Sequence, residues 1–198
     1  MNFLAHLYLS NNDEDVMIGN FIADHIKGKE MFNYNIGVQR GILLHRAIDE
    51  YTDKHPIVKI SKDRLHPRYR HYDGVIIDIF YDYFLAKNWS RYSNMPLDIF
   101  AQHVYGLLGN RSNLPAKTQR FTGYMIQFDL LVNYRDMDTI AQVLDGMNRR
   151  SKMKSQMHLA IEDLQSLEKE LEEDFLTFFT ELQSFAKQKQ NELETTHS

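Results

Sequence analysis

Apolar side chains recur at intervals of three and four along almost the whole chain, and nowhere do they alternate with polar ones as in a half-buried strand. The pattern predicts an all-α, single-domain helical bundle of seven to nine helices. Asn2 to Ser10 reads as a short apolar helix holding His6, and Asp13 caps a second that Gly28 stops. Gly37 to Asp53 is a third, closed by His55-Pro56, since proline opens the next helix well and disfavours helix before it. Pro67 is expected to interrupt that fourth helix. Asp73 is expected to cap the central one, whose residues Val75 to Leu85 leave no polar stripe wide enough to face water.

Further helices are predicted from Pro96 to Gly109, from Leu114-Pro115 through Val132, and from Thr139 to Met147. From Ser155 one long amphipathic helix carries Ile161, Leu164, Leu171, Phe175, Phe178, Leu182 and Phe185. The domain is expected to span 1–190, with 191–198 frayed.

Within this pattern the polar exceptions stand out. Asp78 and Asp82 lie four apart on the most apolar helix, so both project from one face. Buried carboxylates need compensation, which a divalent cation, an arginine or a raised pKa supplies. His45 and Asp49 have the same spacing, which lets both reach one ion, or lets Asp49 fix the His45 tautomer. Asn20 and Asp24 are also four apart; a salt bridge to Lys27 accounts for Asp24 equally well. His6 is either a hydrogen-bonded core residue or a ligand.

Composition narrows the chemistry. The chain has 198 residues, 43% of them hydrophobic, which suffices for one substantial core. It has no cysteine, so any metal must bind through histidine nitrogen and carboxylate oxygen, which favours manganese, magnesium, iron or zinc. No apolar run is long enough to span a bilayer and no leader signal is evident, so a soluble, cytoplasmic protein with no membrane partner is expected. The net charge of −4 conceals an acidic tail: from Glu162 onward ten acidic side chains face three basic ones, which leaves the body mildly basic. Lys59 to Arg70 concentrates that surplus, as a solvated helix end or as a dock for an anionic partner. Nucleic acid is not expected, because the surplus is small and no recognition motif is present.

The segments MNFLAHLYL, GNFIADHIKG, GILLHRAID, HPIVKISKDRL, YDGVIIDIFYDYFLAKNW and RRSKM, in that order, resemble the acyl carrier protein phosphodiesterase family, with similarity extending to about Phe185. The resemblance implies an HD-domain-like fold and a metal-dependent phosphodiesterase that removes 4′-phosphopantetheine from holo acyl carrier protein, with Mn2+ the expected ion and Mg2+ or Fe2+ alternatives. It implies Asp24, His45, Asp49, Asp78 and Asp82, with His6 nearby, as metal ligands. Asp49 or Asp82 would serve as base and Arg46 would stabilise transition-state charge. Lys27 would suit the phosphate, and Arg64, Arg68 and Arg70 would steer the acidic carrier.

Two positions depart from the family pattern. Tyr83 stands where many relatives have histidine and Tyr8 where some do, which puts turnover in doubt unless His71 or His25 compensates. A phosphohydrolase of a nucleotide or another small diester, and a non-catalytic helical protein that binds an acidic partner, are the competing readings.

Overall fold

The computed structural model describes residues 1–111 and 114–196, and is helical throughout with no strand among them. Eleven α-helices follow in order among the described residues: α1 (Phe3–Tyr8), α2 (Glu14–Ile22), α3 (Ile36–Lys54), α4 (Pro56–Tyr69), α5 (Asp73–Lys87), α6 (Leu97–Gly109), α7 (Ala116–Gln127), α8 (Leu130–Asn133), α9 (Met137–Arg150), α10 (Ala160–Ser166) and α11 (Glu168–Thr196). Short 3-10 turns at Ala23–His25 and Gly28–Asn33 link α2 to α3. None of the described helices is long and apolar enough to cross a membrane.

α5 is the hub. Every residue from Ile79 to Ala86 is buried, because α1, α4, α9 and α11 surround it. Its Tyr81 and Phe84 rings lie 5.5 and 5.9 Å from Phe175 of α11, and burying such side chains contributes roughly 1.5–3 kcal/mol each. α11 also packs on α3 and α4, closing the core with Leu171, Phe175, Phe178, Phe179 and Leu182.

α2 and α3 meet at backbone distance. A Cβ on Gly19 would sit 2.0 Å from the Val38 carbonyl oxygen, and one on Gly41 2.2 Å from that of Val16, so each glycine makes room for the other helix. This crossing sets the spacing of the polar groups described below.

Several boundaries differ from the sequence expectation. α4 continues through Pro67, which lies in its last turn and so breaks the hydrogen-bond ladder only near its end; the helix stops where Arg70 adopts φ 49°. Asp73 is the first residue of α5 rather than its cap, and its carboxylate meets His66 Nδ1 at 2.7 Å. The helix expected through Val132 stops at Gln127, because Asp129 takes a left-handed conformation. The long C-terminal helix is interrupted at Leu167, and its second part runs on to Thr196, past the point expected to fray. Residues 197 and 198, also in that expected tail, lie outside the described residues.

Candidate metal centre

His6 on α1 and His45 on α3 stack face to face, with ring centroids 4.0 Å apart and an interplanar angle of 20°. Asp49 lies one turn beyond His45. Its Oδ2 is 3.1 Å from His45 Nε2 and its Oδ1 is 3.2 Å from His6 Nε2. These three residues each offer one ligand atom, all within 4.8 Å of one another, a group that could hold a metal ion. Asp24, in the turn after α2, adds a carboxylate oxygen 3.2 Å from His45 Nε2. Asp78 of α5 lines the same cavity, of about 210 Å³, and its Oδ1 is 3.0 Å from the Met1 ammonium.

Asn20 orients the central imidazole. Its amide nitrogen donates to the His6 carbonyl at 2.8 Å and to Ser10 Oγ at 3.1 Å, which turns Oδ1 toward His45 Nδ1 at 3.2 Å. His45 therefore donates from Nδ1 to Asn20 and presents Nε2 to the carboxylates, the orientation a metal-bound histidine requires. Asn20 is fully buried and sits one helical turn before Asp24, so a single helical segment supplies an orienting group and an acid. The spacing of Asn20 and Asp24 is visible in the sequence, whereas the contact of Asn20 with His45 depends on how α2 meets α3.

The test of fit to a cation is His6. Its Nε2 lies close to Asp49, but neither ring nitrogen is aligned for a hydrogen bond with any protein atom, although both are buried. A buried, unpartnered imidazole nitrogen beside a carboxylate and a second imidazole nitrogen suits a shared ion. The electrostatics agree. Burial, together with the neighbouring His45 charge, pulls His6 down to about 4, so its nitrogen is free of a second proton at neutral pH. Burial also opposes charge on His45, but hydrogen bonds to Asp24 and Asp49 outweigh it and push His45 up to about 9. Burial would raise Asp49, yet its contacts with His45 and His6 prevail and hold it well below the usual carboxylate range. Without a cation, His45 thus carries the positive charge that balances the acids.

Asp82 does not join them. It is fully buried, and it accepts hydrogen bonds from the backbone N–H groups of Leu4 at 2.7 Å and Ala5 at 3.2 Å, where α1 begins. Burial raises it to about 7 against the pull of those two amides. A helix start, rather than an ion or an arginine, compensates this carboxylate.

Arg46 also lies apart from the cluster. Its guanidinium donates to the Ile26 carbonyl at 3.2 Å and approaches Met31 Sδ at 3.8 Å, and it does not line the cavity. Arg64 pairs with Asp174, and Arg68 with Glu162 and Asp163 at 3.1 Å each, so the acidic tail engages the core of the basic run. Lys27 and Arg70 are exposed and lie outside the cavity lining.

The two departures fall away from the cavity. Tyr83 donates to Glu168 on α11 at 2.8 Å, and Tyr8 donates to the Tyr92 carbonyl at 2.9 Å on the far side of α1. His25 meets Thr118 Oγ1 at 2.8 Å, the His71 ring lies 4.0 Å from that of Tyr72 at a tilt of 40°, and neither lines the cavity.

The model of the acyl carrier protein phosphodiesterase family matches residues 1–182. The chain belongs to that family. It is similar to the acyl carrier protein phosphodiesterases of Yersinia pestis, 33% identical over 96% of this chain and all of that protein, and of Enterobacter sp. (strain 638), 34% identical over the same shares. That of Serratia proteamaculans (strain 568) is 30% identical, again over 96% of this chain and all of that protein. No solved structure matches the chain. The stretch matched by the phosphodiesterase family contains every residue of the imidazole–carboxylate cluster, together with Asn20 and both glycines of the α2–α3 crossing.

Proposed function

We propose that this chain is a metal-dependent phosphodiesterase that hydrolyses the bond between 4′-phosphopantetheine and the serine of holo acyl carrier protein, giving apo carrier. The observation that carries the reading is the meeting of His6, His45 and Asp49 at one point in a chain of this family.

His6 Nε2, His45 Nε2 and Asp49 would hold a divalent cation, and Mn2+ fits a cysteine-free set of nitrogen and oxygen donors, as do Mg2+ and Fe2+. Such an ion supplies Lewis acidity, making water more acidic and offsetting charge on the phosphoryl oxygens. Asn20 keeps His45 in the tautomer that leaves Nε2 free. Asp24 and Asp78 stand outside the triad on the cavity wall and provide the carboxylates that take the proton of the attacking water. As water adds to phosphorus, the bond from phosphorus to the serine oxygen breaks, and that oxygen leaves with the proton that Asp24 or Asp78 took from the water. Asp82 acts at one remove, by fixing the start of α1 and with it the height of His6. Lys27 and Arg70 are each exposed and would attract an acidic carrier, and the enzyme would be cytoplasmic like that substrate.

Mass spectrometry of holo carrier incubated with the protein, with and without Mn2+, tests the reading. Loss of the phosphopantetheine mass only with metal, and not with Asp49→Asn, is expected. Intact holo carrier under all conditions refutes the substrate, and metal-independent release refutes the role of the cluster.

A further inference from the structure

α7 carries a row of aromatic rings that begins at the cavity and ends in solvent. Phe3 and Phe21 line the cavity. Phe121 packs against both, at 4.4 and 6.2 Å between centroids. One turn on, Tyr124 is 6.5 Å from Phe121, and Phe128 is 4.6 Å from Tyr124. Positions 121, 124 and 128 share one helix face by their spacing, with Lys117 one turn before them on the same face. The buried face of α7 is a different one, made by Thr118, Thr122 and Met125. Tyr124 and Phe128 are 46% and 50% exposed, so the hydrophobic core does not account for the outer half of the row.

Resting on the phosphodiesterase reading, we propose that this ridge, from Phe121 through Tyr124 to Phe128, is the bed for the pantetheine arm of the substrate while the phosphodiester sits among His6, His45 and Asp49. The two branches of that diester differ in chemistry. One leads to an acidic protein, and the other is a neutral chain of two amides, a geminal dimethyl group and a terminal thiol. The three rings are uncharged, and flat rings stack on amide planes and cover methyl groups. The residues from Phe121 to Phe128 extend roughly 10 Å along the helix, so several bonds of an extended arm can lie on them. Continuity with Phe3 and Phe21 fixes the direction, since an arm leaving the cavity on this side meets Phe121 first.

Tyr124→Ser and Phe128→Ser, singly and together, test the proposal at exposed positions where folding is not at stake. KM and kcat are measured on holo carrier. Inhibition constants for 4′-phosphopantetheine and for orthophosphate are measured against bis(p-nitrophenyl) phosphate hydrolysis. In the double variant, KM and the 4′-phosphopantetheine constant should each rise about tenfold, with kcat and the orthophosphate constant moving less than about twofold. Unchanged KM and inhibition constants overturn the proposal, as does an equal loss of affinity for both inhibitors, which would make the ridge a support for the cavity. A wild-type dimer that the double substitution dissociates would assign the ridge to a second copy and also overturn it. If the wild type leaves holo carrier intact while the substitutions still weaken 4′-phosphopantetheine selectively, the carrier reading fails and the ridge stands.

Discussion

Alanine at Gly19 should separate the two helices that build the site. The new Cβ would lie 2.0 Å from the Val38 carbonyl oxygen and 2.8 Å from Gly41 Cα, both backbone atoms that no rotamer change can move. Restoring ordinary contact near 3.4 Å requires α2 to retreat from α3 by about 1.4 Å. Overpacking costs typically about 1–3 kcal/mol and here lies at or above the top of that range, offset by about 1 kcal/mol of alanine helix preference. The net loss of about 2 kcal/mol should lower Tm by roughly 4–8 °C. The same retreat carries Asn20 and Asp24 away from His45, opening two contacts of 3.2 Å beyond hydrogen-bond reach. Mn2+ affinity, read by isothermal titration calorimetry, should therefore fall about tenfold or more. Gly123→Ala is the control: its Cβ meets nothing within 4 Å on an exposed helix position, so it should gain up to about 1 kcal/mol. A Gly19→Ala protein as stable as wild type, with undiminished metal affinity, would refute the close crossing as the device that sets the site.

Asn20→Ala should weaken Mn2+ binding about 10- to 100-fold while far-UV circular dichroism stays helical; unaltered affinity would show that Asn20 does not orient His45. The His45 value raised to about 9 means that its ion pairs stabilise the metal-free fold fully below its ordinary 6.5 and lose this effect as pH rises through about 9. A bound cation must displace that proton, so metal affinity should climb with pH toward 9 with release of about one proton, measurable by calorimetry in buffers of different ionisation enthalpy. Asp82, raised to about 7, favours the fold below its ordinary 3.8 and loses this contribution as pH rises through about 7, so Asp82→Asn should flatten the urea-unfolding profile between those values. Arg64→Ala should cost about 1–2 kcal/mol in urea unfolding by leaving Asp174 with Ser61 but no cation, with little change in KM for the carrier; a large rise in KM would return Arg64 to the docking surface.

What the sequence determined by itself is local. Helix periodicity, the Asp13 cap that accepts from Val16 N–H, Pro56 at the first turn of α4 and the hydrophobic surround of α5 are all written within a few residues of where they act. So is the His45–Asp49 pair, because four residues on a helix bring two side chains together whatever the rest of the chain does. The break at Leu167 and the continuation through Pro67 were less legible, since packing of neighbouring helices overrides the preference of a single residue.

Only the tertiary structure decided which polar groups share a site. Asp78 and Asp82 look equivalent in sequence, yet one faces the cavity and the other sits on backbone amides 77 and 78 positions away. His6 gains its meaning from α3 packed beside it, and Arg64 and Arg68 lose their availability to acids about a hundred residues later in the chain. The reason is physical: spacing along a helix is fixed by its pitch, whereas spacing between helices depends on what their contacting surfaces allow. Here two glycines set that distance by lacking a side chain.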